Sequence, residues 1–305
     1  MKKAIIIGGI IVVSAIIYFL IPSSSEEYLD SSGISTSEIH KKKQNNLNIS
    51  ILLDLSDRID TNKYPNQTMQ YYKRDLGYIN SIADAFKKHL SSKKIITIND
   101  RLQMFFDPAP SNSQINSMLK QLKIELTRKN ITKEKLNGIK KEYNNIPPQI
   151  YKLALSDNNY IGSDTWGFFK NKVNNYCIKK EYRNILIILT DGYIYHENNK
   201  FMEENRSSYI TPVGIKGFGL NKSNWKEKIK NDNYGFIKAN ENLGDLEILV
   251  LGFNPSKKSK NPYEFDVLKA YWGNWFEEMG ITKYQIKQTD LPSNLNEFIQ
   301  TFINN

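Results

Sequence analysis

Three runs of apolar residues predict the central strands of a β-sheet. Residues 49–53 (ISILL) contain one serine, residues 185–189 (ILIIL) are all apolar, and residues 246–253 (LEILVLGF) contain one glutamate. Short, continuous apolar runs rich in β-branched residues are typical of strands that are buried on both faces. Two further segments, 102–106 and 284–287, predict additional strands.

Helical patterns alternate with these strands. Apolar residues recur at every third or fourth position in three segments, at 72–90, 263–280 and 295–303. This spacing predicts amphipathic helices, and Gly280 is well placed to end the second of them. Residues 107–160 predict a helical insertion outside the sheet, and we expect Pro147 and Pro148 to break its helix.

The order of these elements predicts the class of fold. Strands that alternate with helices pair mostly in parallel, because right-handed crossovers place the helices on the two faces of the sheet. The chain therefore predicts an α/β domain with a doubly wound, mostly parallel, Rossmann-like sheet. In such sheets the ligand crevice lies at the carboxyl ends of the strands. Polar residues that follow the strands are thus the first candidates for a site.

The N-terminal segment predicts a membrane anchor. Residues 4–21 carry no charge, and as a helix they would span about 27 Å, close to the thickness of the hydrocarbon core. Two lysines precede the segment, so the positive-inside rule predicts a cytoplasmic N-terminus and a periplasmic or extracellular main domain. A cleavable signal peptide is the alternative. The predicted organisation is an anchor at 1–22, a flexible linker at 23–46 and one domain at 47–305.

Composition narrows the function only slightly. The formal charge of +10 fits nucleic acid or an anionic surface as a partner, but a chain rich in Lys and Asn carries such a charge without either. We therefore expect no binding to nucleic acid. Cys177 is the only cysteine, which excludes a disulfide within the chain. His40, His89 and His196 are scattered and do not form a zinc-binding pattern.

Polar residues follow the predicted strands and supply the candidate site. Asp54 and Ser56 follow the first strand, Thr165 lies in a later polar turn, and Asp191 follows the next central strand. This arrangement of Asp-x-Ser, Thr and Thr-Asp-Gly resembles the von Willebrand factor type A domain over about residues 47–305. The resemblance implies that the four residues meet at the top of the sheet and hold Mg²⁺ or Mn²⁺ through oxygen ligands. It also implies an open position on the ion that accepts a carboxylate from a partner protein.

The sequence departs from this pattern beside Ser56. Arg58 stands where the family has the second serine of Asp-x-Ser-x-Ser, and Asp57 stands where it usually has glycine. An inward-pointing Arg58 would replace the ion, because a guanidinium is always charged and can bridge carboxylates. An outward-pointing Arg58 would leave Asp57 free to join Asp54 around an ion. Position in the chain slightly favours the outward arrangement.

Two classes of function follow from these features. The first is a membrane-anchored, exported type A-like domain that binds a partner protein or takes part in envelope assembly, with a divalent ion at its site. The second is a metal-dependent phosphohydrolase on a Rossmann-like fold, with Asp54 and Asp57 as its acids. Such enzymes need Asp-x-Asp after the first strand, whereas this chain has Asp-Leu-Ser-Asp. We therefore expect the first class rather than an enzyme.

Overall fold

The computed structural model describes residues 46–157, 160, 162–255 and 260–305. Its main sheet has six strands, which are β1 (Leu47–Leu53), β2 (Asn99–Phe105), β3 (Ile124–Thr127), β4 (Arg183–Leu189), β8 (Leu246–Phe253) and β9 (Lys283–Gln288). Their order across the sheet is β3-β2-β1-β4-β8-β9, and every pair is parallel except β2 with β3. Taken in chain order, this is the 3-2-1-4-5-6 arrangement of doubly wound folds. The predicted fold class is confirmed for this part of the chain.

Helices cover both faces of the sheet, as predicted. In chain order they are α1 (Tyr71–Ser92), α2 (Ser113–Gln121), α3 (Lys133–Asp157), α4 (Thr165–Asn171), α5 (Val173–Tyr176), α6 (Pro212–Gly217), α7 (Trp225–Asn231), α8 (Glu264–Glu278) and α9 (Pro292–Asn304). One core packs α1, α2, α3 and α9 against the sheet, and the other packs α4, α6, α7 and α8 against its opposite face. Gly280 follows α8 with a φ of +87°, a conformation that glycine adopts without strain.

The central strand β1 is buried along its whole length. Ile49, Ile51 and Leu53 point into the α1 side of the core, while Leu52 points into the other side. Its two polar side chains are hydrogen-bonded: Asn48 donates to the carbonyl of Cys177, and Ser50 accepts from Gln103. These hydrogen bonds offset part of the cost of burying the polar groups, although the Asn48 Oδ1 has no partner. The position of β1 in the centre of the sheet fixes the loop that follows it.

The segment 107–160 differs from its predicted form in two ways. Residues Ile124–Thr127 within it form β3, which pairs antiparallel with β2, so this part belongs to the sheet rather than to an insertion. Its four residues are too few to show a clear alternation in the sequence. Pro147 and Pro148 lie inside the continuous helix α3 instead of ending it. Tertiary packing holds that helix together, because Ile150 and Tyr143 on either side of the prolines are fully buried.

The connection between β4 and β8 carries a small second sheet that the sequence did not predict. It consists of β5 (Met202–Glu203), β6 (Arg206–Ser207) and β7 (Gly235–Phe236). Strands of two residues are too short to leave a period in the sequence. This connection supplies one wall of the site described below.

No helix among the described residues combines the length and apolarity needed to cross a lipid bilayer. The predicted anchor at 1–22 and nearly all of the linker at 23–46 lie outside those residues.

Candidate functional site

The site lies where β1 and β4 meet at their carboxyl ends. These strands are adjacent and parallel, with Leu53 opposite Leu189, so Asp54 and Asp191 follow them at the same edge of the sheet. The expectation that Asp54 and Asp191 meet at one edge of the sheet is confirmed. Connections leave β1 and β4 in opposite directions across the sheet, and a doubly wound sheet has its ligand crevice at such a point.

Backbone hydrogen bonds extend past the strands and fix both acids. The Asp54 amide donates to the Leu189 carbonyl at 3.0 Å, and the Asn254 amide donates to the Asp191 carbonyl at 2.9 Å. Gly192 has a φ of +100°, and a Cβ at this position would lie 3.1 Å from the Phe253 ring. Glycine is therefore required for the turn that directs Asp191.

The Asp54 carboxylate is buried and already has hydrogen-bond partners. Its Oδ1 accepts from the Ser56 amide at 2.8 Å, and its Oδ2 accepts from the Thr190 hydroxyl at 3.0 Å. The Arg58 Nε lies 3.6 Å from the same Oδ2. Asp54 thus holds the loop after β1 in place with only 4% of its surface exposed.

Arg58 points inward and is buried, contrary to the slight expectation that it points outward. Its Nη2 lies 2.6 Å from the Asp75 carboxylate, and its nitrogens also donate to the carbonyls of Asp54 and Leu189, each at 3.1 Å. Tyr151 donates its hydroxyl to the same Asp75 oxygen at 2.7 Å. Burial lowers the pKa of the Arg58 guanidinium, but the charges of Asp75 and Asp54 outweigh this and raise it. Arg58 is therefore a fixed cation that joins β1, β4 and α1.

The other predicted residues separate into two groups. Ser56 and Asp57 line the open side of the site, but Asp57 pairs with Lys63 at 3.3 Å instead of joining Asp54. Thr165 is the first residue of α4 and is 1% exposed; its hydroxyl lies 3.2 Å from the hydroxyl of Ser163. In that turn it is Ser163, rather than Thr165, that faces the open side of the site.

A cavity of about 450 Å³ opens at this edge of the sheet. Its walls come from the loops after β1, β4 and β8, the start of α1, and the turns before α4 and α6. Its aromatic and proline residues are Tyr64, Tyr71, Tyr193, Tyr195, Pro65, Pro212 and Pro255. Its charged residues are Asp57, Arg58, Lys63 and Asp191. A largely apolar cavity with a few convergent polar groups is the usual form of a binding site.

Two acids and two bases line the cavity, and the acids influence one another's ionisation. Burial first, and then the neighbouring charge of Asp54, raises the pKa of Asp191 to about 7, although Arg58 opposes the shift. Burial and the charges of Asp57, Asp191 and Asp60 likewise raise the pKa of Tyr64 at the rim. Arg58 forms its ion pair with Asp75, and Lys63 forms its ion pair with Asp57. Neither of these ion pairs involves Asp191.

This arrangement does not fit a divalent ion held by the four predicted ligands. Asp54 and Thr165 do not line the cavity, and the guanidinium of Arg58 occupies the space beside the Asp54 carboxylate. Within the described ranges, no three His, Cys, Asp or Glu side chains are arranged to hold a metal ion. Mg²⁺ or Mn²⁺ binding by Asp54, Ser56, Thr165 and Asp191 stays a prediction, with these contacts against it.

Sequence reasoning missed Asp75 and Tyr151, the buried partners of Arg58. A signal for Asp75 was present, because it lies three residues after Tyr72 and four before Ile79, on the apolar face of the predicted helix. An acid on a buried helix face requires a cation or several donors. The tyrosines of the cavity left no comparable signal, since they come from three segments that are distant in the sequence: the loop after β1, the start of α1 and the loop after β4.

Comparisons with known proteins add two solved structures. No family model and no curated protein matches the sequence. An aerotolerance-related membrane protein from Bacteroides fragilis is similar at 12% identity and a TM-score of 0.38, over 85% of this chain and 98% of that chain. The pilus adhesin SpaC from Lactobacillus rhamnosus GG is similar at 10% identity and a TM-score of 0.39, over 85% of this chain and only 30% of that chain. At these values neither likeness bears on the function of this chain.

Proposed function

We propose that this chain is a protein-interaction module of the von Willebrand factor type A kind, anchored in a membrane by residues 4–21 and exported. Its binding site is the cavity at the carboxyl edge of the sheet. The observation that carries this proposal is the position of that cavity at the junction of β1 and β4, with walls from six separate segments. Loops on a rigid sheet are the usual place for a recognition surface.

The proposed site works without a metal ion. The family resemblance places a cation beside the strand acids, and Arg58 places one beside Asp54 from within the chain. Its contacts with Asp75, Asp54 and Leu189 hold the loop after β1 against β4 and α1. These are the connections that a bound ion would otherwise supply.

The partner contributes a cationic side chain, Lys or Arg. Asp191 lies in the cavity wall, and four tyrosines, Tyr64, Tyr71, Tyr193 and Tyr195, line the same cavity. Aromatic faces attract ammonium and guanidinium groups, and the rings of Tyr71 and Tyr195 already have the chain's own Arg74 and Lys200 over them, each at 5.5 Å. A carboxylate adds a charge-assisted hydrogen bond. Arg58 already forms an ion pair with Asp75, so its charge is not available to a carboxylate of the partner. The preferred charge of the partner is thus opposite to the one that the family resemblance implies.

No observation favours the phosphohydrolase alternative. Its two acids, Asp54 and Asp57, do not converge: the first is buried against Thr190 and Ser56, and the second pairs with Lys63 at the mouth of the cavity. A nucleophilic carboxylate has to reach the substrate.

Site-specific photocrosslinking in native membranes tests the proposal. A photoreactive amino acid replaces Tyr64 in the cavity wall or, as the matched control, Tyr176, an exposed tyrosine outside the cavity. We expect position 64 to capture a defined partner with and without a chelator. The Asp191→Asn variant should lose that product. Equal products from positions 64 and 176, or loss of the product with chelator, would contradict the proposal.

A further inference from the structure

The amino edge of the sheet carries a second surface, formed by Ile95, Ile96, Lys94, Arg128 and Lys129. Ile95 and Ile96 are 65% and 73% exposed, an unusual condition for two adjacent isoleucines. Lys94, Arg128 and Lys129 are exposed beside them. We call this set the amino-edge patch.

The patch is held rigidly. Residues Ile95–Thr97 form a single 3₁₀ turn, closed by the Thr97 amide on the Lys94 carbonyl at 2.9 Å. The Arg128 amide donates to the Ile98 carbonyl at 2.9 Å, which ties the end of β3 to this turn. The exposure of the isoleucines is therefore a property of the folded chain rather than of a loose loop.

The charge of the patch is positive. Nearby acids already have basic partners: Asp100 contacts Lys93 and His89, and Glu125 contacts Arg101 and Lys123. A basic surface with two projecting apolar side chains matches an anionic phospholipid surface, where cations meet headgroups and apolar groups enter the boundary of the acyl chains.

The chain also enters the domain here. Asn46, immediately before β1, lines the same shallow hollow of about 520 Å³ as Ile96, Arg128 and Lys129. The predicted anchor ends about 25 residues earlier in the sequence. An anchored chain therefore enters the domain at this edge of the sheet, and not at the edge that carries the cavity.

We infer that the amino-edge patch docks on the anionic phospholipid surface in which the chain is anchored. Parallel strands of seven residues separate this edge from the cavity by about 20 Å. Docking thus points the cavity away from the bilayer and toward a partner. The inference does not depend on which partner occupies that cavity.

Fluorescence on the full chain in lipid nanodiscs tests the inference. An environment-sensitive dye is attached at Ile96→Cys or, as the control, at Val213→Cys, which is 80% exposed in the helix beside the cavity. Cys177 is fully buried and burial raises its pKa to about 12, so it does not compete for the dye. We expect a blue shift, and quenching by a lipid-borne quencher, only at position 96 and only in discs that contain phosphatidylglycerol.

Charge and concentration decide between lipid and protein as the occupant. High salt, or the pair Arg128→Gln and Lys129→Gln, should weaken docking on the order of tenfold. Equal responses at positions 96 and 213 would overturn the inference. So would a shift at position 96 that persists in phosphatidylcholine discs or that grows with protein concentration in detergent, since the latter indicates a second copy of the chain on the patch.

Discussion

The Arg58 Nη2 lies 2.6 Å from the Asp75 Oδ2, and both side chains are at least 95% buried. This ion pair connects the loop after β1 to the first turns of α1. Tyr151 on α3 donates a hydrogen bond to the same carboxylate oxygen, so three separate segments meet at one atom. Burial raises the pKa of the Asp75 carboxyl, and Arg58 and Tyr151 oppose that shift.

Removing one partner of this pair should destabilise the fold strongly. Asp75→Asn or Arg58→Met leaves a buried group without its countercharge, which costs about 3–5 kcal/mol. Urea unfolding measures the change, and the double variant should lose less than the sum of the two single variants. Arg101 and Glu125 form an exposed pair with a similar separation of 2.7 Å, and breaking it should cost less than about 1 kcal/mol. Equal losses at both pairs would contradict the role assigned to burial.

Divalent ions should bind only after Arg58 is removed. Calorimetric titration with Mg²⁺ and Mn²⁺ should show no binding to the unaltered chain, because the guanidinium lies beside Asp54. Arg58→Ser with Asp75→Asn removes the cation and its buried countercharge together, and Asp54 and Asp191 then have space for an ion. Tight binding by the unaltered chain would refute the replacement of the ion by Arg58.

Asp191→Asn should stabilise the protein at alkaline pH. The pKa of Asp191 in the folded protein, about 7, lies above the value of about 3.9 in an unfolded chain. Ionisation therefore opposes folding: the penalty is absent below about pH 4, grows up to pH 7 and then stays constant. At pH 8 the variant should have a higher melting temperature, and its free energy of unfolding should be larger by up to a few kcal/mol. At pH 3.5 the substitution should have no effect. Asp57→Asn serves as the control, since Asp57 pairs with Lys63 at the surface.

Asp100 should contribute to stability that is lost in acid. Burial would raise the pKa of this carboxyl, but hydrogen bonds from His89, Lys93 and the Leu47 amide lower it below its ordinary value. The contribution is complete above about pH 4 and disappears as the pH falls through the lower pKa of the folded state. Asp100→Asn should reduce the melting temperature at pH 7 much more than at pH 2.5. The exposed Asp84 is a suitable control position, and a similar profile for Asp84→Asn would contradict this assignment.

The sheet was predictable from the sequence because its strands bury both faces. In β1 and β4 every position but Arg183 is buried, so continuous apolar runs were required and were visible. The short strand β3 was not visible, since only Leu126 among its four residues is fully buried. Asp54 and Asp191 could be selected as site residues because each comes directly after a predicted strand. The site also requires the two strands to be adjacent, and β1 and β4 are paired in the sheet.

The direction of Arg58 was not predictable in the same way. It depends on Asp75 and Tyr151, which lie 17 and 93 positions further along the chain. A local motif contains the residues of one loop only. The orientation of a long charged side chain depends on countercharges in other segments, which are distant in the sequence. The cavity tyrosines share this property, because they converge only after folding.

A cation that belongs to the polypeptide has a permanence that a bound ion lacks. Arg58 is present at one equivalent per chain, cannot be chelated or exchanged, and keeps its charge across the physiological pH range. The loop after β1 is consequently organised as soon as the chain folds, whatever the supply of divalent metals. Binding of a partner at this cavity would then need no divalent metal, and a chelator would leave that binding unchanged.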